Sequence, residues 1–274
     1  MDLALLIKAF ILGIVEGATE FLPVSSTGHL VIASQLMGMK DERTDLFLIV
    51  IQFAAILAVC WEYRARIFKA LKGILRDEQS SNLSRNILVA FLPLAVLGLL
   101  FGSKLKNLLF APVPIAIAFI VGGLVILWAE RREHTITVNE VDDMTWKDAL
   151  KIGIAQAFAL IPGTSRSGAT IIGGLLFGLS RKAAAEFTFF LAVPTLGAAT
   201  FYDLYKHRDL LNTNDIGMWA VGLIASFASA FLVVRGLIRY VSKHDFTIFA
   251  WYRIAFGIIV LVTGQMGWVK WAPG

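Results

Sequence analysis

The chain has 274 residues, 57% hydrophobic and only 16% charged, with a mean hydropathy of +0.73; soluble domains are about 45–50% apolar. That excludes an ordinary soluble domain and points to an all-α polytopic membrane protein. The formal charge of +5 falls in short clusters between apolar runs, as topology determinants do, so no nucleic-acid partner is expected.

In chain order, the apolar stretch 3–22 is interrupted by Lys8, Glu16 and Glu20 and stopped by Pro23, whose ring also disfavours helix at Leu22. Its start lacks a basic leader and a small-residue cleavage site, so no cleaved signal peptide is expected. After a Ser-Ser-Thr-Gly turn, 30–37 offers about two more helical turns before Gly38 and a charged loop. Helix, polar turn and short helix make the pattern of a re-entrant hairpin over about 3–37. Spans are expected at 46–61, 86–103 and 107–129, near the roughly 20 residues a bilayer requires. The only cysteine, Cys60, excludes an intramolecular disulfide. The hydrophilic stretch 130–148 is expected to be a solvated cytoplasmic linker. Beyond it, two uncharged pieces, 152–165 and 167–180, flank Arg166 and form a second expected hairpin. Spans at 187–202, 216–234 and 246–269 complete the chain, the last carrying Arg253, which either touches substrate or snorkels to the cytoplasmic surface. Trp128, Trp251, Trp268 and Trp271 fall near span ends as interface anchors. Glu186, Asp203 and Asp45 sit at span ends in structural roles.

Hairpin plus three spans occurs twice, giving one membrane domain of two repeats, 1–129 and 149–274. An offset of 140 pairs Gly13, Ile14, Ser25, Gly28, Ile32, Leu36 and Gly38 with Gly153, Ile154, Ser165, Gly168, Ile172, Leu176 and Gly178, and Glu16 with its near-isostere Gln156. An odd number of spans per half inverts the second copy, an architecture whose sites form near the midplane from broken helices. Fifteen Lys and Arg fall in the loops on one side and eight on the other. The positive-inside rule makes the richer side cytoplasmic and places both termini outside.

The chemistry gathers in two stretches, Glu16-Gly-Ala-Thr-Glu20-Phe-Leu-Pro23-Val-Ser25-Ser26-Thr27-Gly28-His29 and Pro162-Gly-Thr164-Ser165-Arg166-Ser167-Gly168-Ala-Thr170. Polar groups at membrane depth read by default as functional. Ser25, Ser26, Thr27, Thr164, Ser165 and Ser167 are natural helix caps. The helix starts themselves, with Gly28 and Gly168 admitting a close ligand, make an anion cradle. Arg166 suits phosphate oxygens, with an ion pair to Glu16 or Glu20 as its alternative role. Glu16 and Glu20 share one helix face. Close together in low dielectric, one holds a proton or both face a cation, either Arg166 or a divalent metal; a proton or sodium relay is the alternative. His29 is a candidate base, acid or nucleophile, and Gln156 is expected to hydrogen-bond near the site.

These two motifs resemble those of the undecaprenyl pyrophosphate phosphatase family, also called the bacitracin-resistance protein family, and the hydropathy layout matches throughout. The resemblance implies a multi-pass phosphatase of the bacterial inner membrane, its site opening outward. It would hydrolyse undecaprenyl (C55) diphosphate to the monophosphate, recycling the lipid carrier of cell-wall synthesis and conferring bacitracin resistance. It implies a divalent cation, Mg or Ca, on Glu16 and Glu20. Ser26 is the implied nucleophile or its immediate partner, and His29 an acid/base or alternative nucleophile. Arg166 would clamp the diphosphate, with Ser165, Thr27 and Ser167 as supporting hydroxyls. The expected partners are that lipid and the surrounding membrane, with a homodimer as the candidate assembly.

Type-2 phosphatidic-acid phosphatases share fragments of these motifs, but Ile172 stands where their second histidine would be and no Lys-x6-Arg-Pro occurs. The rival function is a carrier that flips polyprenyl phosphate, with or without hydrolysis. A drug-efflux component is a third.

Overall fold

The computed structural model describes residues 2–39, 41–73, 78–109, 111–212 and 215–267. Trp268, Trp271 and the end of the last expected span lie outside them. The described residues form eleven α-helices: α1 Leu3–Thr19, α2 Ser26–Leu36, α3 Glu42–Glu62, α4 Arg64–Gly73, α5 Glu78–Leu109, α6 Pro112–Glu130, α7 Trp146–Ala157, α8 Arg166–Leu176, α9 Arg181–Lys206, α10 Ile216–Val241 and α11 Thr247–Gln265. Six of them, α3, α5, α6, α9, α10 and α11, are long and apolar enough to cross a membrane.

Several helices outrun the apolar runs that announce them. α9 has 26 residues and α5 has 32, taking in charged residues at their ends and running through Pro194 and Pro93, because the bilayer sets the length of the apolar stretch and not that of the helix that carries it beyond the lipid. The separate α4, basic and amphipathic, was not expected from the sequence. The stretch 130–148 is not simply a solvated linker. Val138, Val141 and Met144 are buried against Leu83, Leu179 and Phe187, and Val138 bridges Leu179 through a short strand-like contact. Glu130, at the end of α6, accepts from Arg181 of α9 and from the Phe246 amide, 2.8 Å away, at the start of α11. Glu186 pairs with Arg66 at 3.3 Å, the structural role expected of it.

Packing exchanges the helices of the two sequence halves: α1 lies along α10, α7 along α5, and α6 along α11. Small residues allow these approaches, as is usual between apolar helices. A Cβ on Gly13 would sit 2.5 Å from the Gly222 carbonyl, and one on Gly153 would sit 2.5 Å from the carbonyl of Ala90. The largest buried cluster joins Phe21 to α3, α6, α8, α9, α10 and α11. Both polar turns, 20–25 and 158–165, are laid against this packed interior.

Candidate active site at the meeting of two turns

α1 ends at Thr19, with Glu16 in its last turn and Glu20 as its C-cap. Pro23 prevents continuation, and the chain re-enters helix at Ser26 through Ser25, whose φ of 71° makes it the only non-glycine with positive φ among the described residues. Such a conformation costs about 1–3 kcal/mol and persists where the surroundings impose it. His29 holds the carbonyl of this residue: its Nδ1 lies 2.8 Å from the Ser25 carbonyl, to which it donates. The other ring nitrogen, 2.6 Å from the Tyr252 hydroxyl, then accepts from it. The imidazole also stacks on Phe256, with centroids 4.4 Å apart. Both ring nitrogens are thus engaged away from Ser26.

The second turn enters α8 at Arg166. Ser165 caps that helix, accepting from the Gly168 amide at 3.0 Å, whereas Ser25 makes no side-chain cap on α2. Two serines at equivalent positions therefore differ: one start is closed by a hydroxyl, and the other keeps its amides free of a side-chain cap.

The two turns touch. Ser167 donates to the Leu22 carbonyl at 2.6 Å, and Ser165 reaches the same oxygen at 3.4 Å. Across this contact the Ser26 hydroxyl donates to one oxygen of Glu20. Arg166 donates to the other, through Nη2 at 3.2 Å and Nε at 3.4 Å, and sends Nη1 to the Thr188 carbonyl at 3.2 Å. Two guanidinium N–H groups remain for a ligand. Ser25, Ser26 and Gly28 are buried, Thr27 is exposed, and Thr164 is partly so. The pair of threonines marks the accessible side.

Glu16 is fully buried, and neither of its carboxylate oxygens has a partner. With Glu20 already on Arg166, neutrality in this low-dielectric surround takes a proton on Glu16 or a cation beside it. Gln156, its counterpart at the 140-residue offset, lies elsewhere: its amide faces the Ala90 carbonyl and the Thr195 hydroxyl, each at 3.4 Å, and none of the turn residues.

A family model described as "Bacitracin resistance protein BacA" matches residues 9–259. The chain belongs to this family. Within it, "Undecaprenyl-diphosphatase 2" of Rhodospirillum rubrum is 66% identical over 273 residues, 99% of this chain and 100% of that protein. "Undecaprenyl-diphosphatase" of Dechloromonas aromatica is 66% identical over 99% of both chains. That of Nitrosospira multiformis is 62% identical over 99% of this chain and 100% of the relative.

In this BacA-family chain Thr188 and Tyr252 stand at the site without having been singled out in the sequence, and the partners of Thr170 and Arg253 were not foreseen. Thr188 and Thr170, 2.7 Å apart, steady α8 against α9. Tyr252 orients His29. Arg253 does not snorkel to the surface: it is 2% exposed and donates to four backbone carbonyls, those of Pro23, Ala118, Phe119 and Gly163. An arginine in an apolar span was the available signal; its partners are main-chain atoms, which carry no residue-type signature.

Proposed function

We propose that this chain is an integral membrane phosphatase of the bacterial cytoplasmic membrane. It hydrolyses undecaprenyl (C55) diphosphate to undecaprenyl phosphate and inorganic phosphate, returning the lipid carrier to cell-wall polymer synthesis. Bacitracin resistance follows from removal of the diphosphate. The observation that carries the chemistry is the chain Ser26–Glu20–Arg166, which spans both turns.

In this reading Glu20 takes the Ser26 proton as Oγ attacks the terminal phosphorus, while Arg166 and the uncapped start of α2 hold the phosphoryl oxygens. The bond from phosphorus to the bridging oxygen breaks, and the lipid monophosphate leaves as an anion that needs no general acid. Glu20, after losing that proton to water, takes a proton from the water molecule that attacks phosphoserine and returns it to Ser26 Oγ as phosphate departs. His29, engaged with Ser25 and Tyr252, shapes the turn that presents Ser26.

The described residues hold no group of three or more His, Cys, Asp or Glu suited to a metal. A cation of the Mg or Ca class, which takes one or two carboxylates and completes its shell with water and phosphate, nevertheless fits the two acidic residues here. The unpartnered oxygens of Glu16 are the observation in its favour. Glu16 and Glu20 would hold it, and it would supply charge neutralisation at the phosphate.

The chain is further read as two inverted repeats, 1–129 and 149–274, joined by 130–148. Each is a re-entrant hairpin (α1–α2, α7–α8) followed by three spans, with both termini outside and the site opening outward. The matched packing of α1 on α10 and of α7 on α5 supports this.

Purified protein in detergent, given C55 diphosphate with and without a chelator, tests the function. Phosphate release without any gradient is expected, reduced by the chelator and restored by Mg or Ca. Failure of the wild-type protein to release phosphate would overturn it in favour of a carrier.

A further inference from the structure

Arg253 draws together main chain from three places. Its Nη1 donates to the Pro23 carbonyl at 3.1 Å, Nη2 to those of Gly163 at 3.2 Å and Ala118 at 3.0 Å, and Nε to that of Phe119 at 3.3 Å. Pro23 and Gly163 are partners at the 140-residue offset, and so are Ser26 and Arg166, each three positions further on. A single guanidinium thus grips the corresponding carbonyl ahead of the nucleophile in one turn and ahead of the cation in the other. α6 supplies the fixed floor. The room for this is built in: a Cβ on Gly122 would fall 2.2 Å from Nη2 of Arg253. Gly163 itself has φ +88° and lies against α6, where a Cβ would meet the Ile115 carbonyl at 2.7 Å.

We propose that Arg253 is a positioning residue that sets the separation of the Ser26 hydroxyl from the Arg166 guanidinium by tethering both turns to α6. The planar fork suits the task, because several carbonyls held at fixed angles need several donors held at fixed angles. The neighbouring Tyr252 braces His29 from the same helix, so α11 registers the site through two adjacent residues. This rests on the phosphatase reading for its catalytic consequence, but the tether itself does not.

Two measurements on the full chain separate these. Hydrogen–deuterium exchange, read without substrate, should rise in Arg253→Ala over both 20–30 and 160–170 and stay unchanged in α3. Turnover of C55 diphosphate should fall about 10–100-fold in kcat with KM little changed, the scale of a small misplacement of reacting groups. Millimolar guanidinium, but not ammonium, should restore part of it. Arg235→Ala, which removes the exposed pair with Glu62 and the stacking on Phe231 but touches neither turn, is the control and keeps wild-type turnover.

If Arg253→Ala cannot be recovered folded, Arg253→Lys decides: it keeps the charge but not the fork, and should loosen at least one turn. Wild-type exchange at both turns in a folded variant would overturn the proposal, as would wild-type kcat. Raised exchange at both turns in a protein whose wild type releases no phosphate would instead leave the tether standing and overturn the phosphatase.

Discussion

The hydroxyl of Ser167 lies 2.6 Å from the carbonyl of Leu22, 145 positions earlier in the chain. Because the acceptor is main chain, the contact fixes one backbone against the other independently of the leucine side chain. It brings the carboxylate of the first turn within reach of the guanidinium of the second. The site is therefore a property of the junction: neither motif holds an acid, a hydroxyl and a cation alone.

Ser26→Ala should abolish phosphate release to background, while Glu20→Gln should retain a trace, with kcat reduced about 10²–10⁴-fold, the usual contribution of a positioned base. Acid quenching of wild-type turnover should trap phosphoserine on the peptide containing Ser26. Label found on another residue would remove Ser26 as nucleophile.

Arg166→Ala leaves Glu20 buried without its cation and should cost about 3–5 kcal/mol of stability as well as activity. Arg166→Lys separates the two effects. It keeps an ion pair but not the bidentate geometry, so thermal unfolding in detergent should stay near wild type while KM for the diphosphate rises. An Arg166→Lys enzyme with unchanged kinetics would confine Arg166 to a structural pair.

Glu16 and Gln156 are matched in the sequence but should part company in assay. Gln156→Leu removes two long hydrogen bonds at Ala90 and Thr195 and should lower stability by about 1–3 kcal/mol, leaving kcat within a few-fold. Glu16→Gln, near in shape, should lower turnover sharply and weaken its dependence on added Mg or Ca.

Asp41 caps α3 with one carboxylate oxygen, which takes the Thr44 amide at 2.9 Å and the Thr44 hydroxyl. These bonds, the hydroxyl first, hold its carboxyl below the ordinary aspartate value of 3.8. Its contribution is therefore complete above that value and lost as pH falls through the lower folded one. Asp41→Ala should cost about 0.5–2 kcal/mol near neutrality. Asp41→Asn should retain most of the cap but lose this acid-sensitive limb, as followed by thermal unfolding against pH.

Hydropathy announced six long helices, since an apolar run near bilayer length has few other uses, and two polar turns stood out against apolar surroundings. Both turns were visible because Pro23, Pro162 and Gly163 interrupt the apolar runs beside the polar residues. What stayed hidden depends on partners with no signature. Arg253 binds carbonyls, so its acceptors at Pro23 and Gly163 could have been any residue. His29 stood out by type, but its bond to Tyr252, 223 positions away, did not. The equivalence of Glu16 with Gln156 was legible, but its chemical meaning was not: Thr195 donates to the Gln156 amide oxygen, while the counterpart of Thr195 at the same offset is Ala55, which offers no hydroxyl.

The lengthwise pairing of α1 with α10 and of α7 with α5 gives each half of the chain a first helix whose resting place belongs to the other half. Severing the backbone near position 139 should therefore leave two fragments that reconstitute only when made in the same cell.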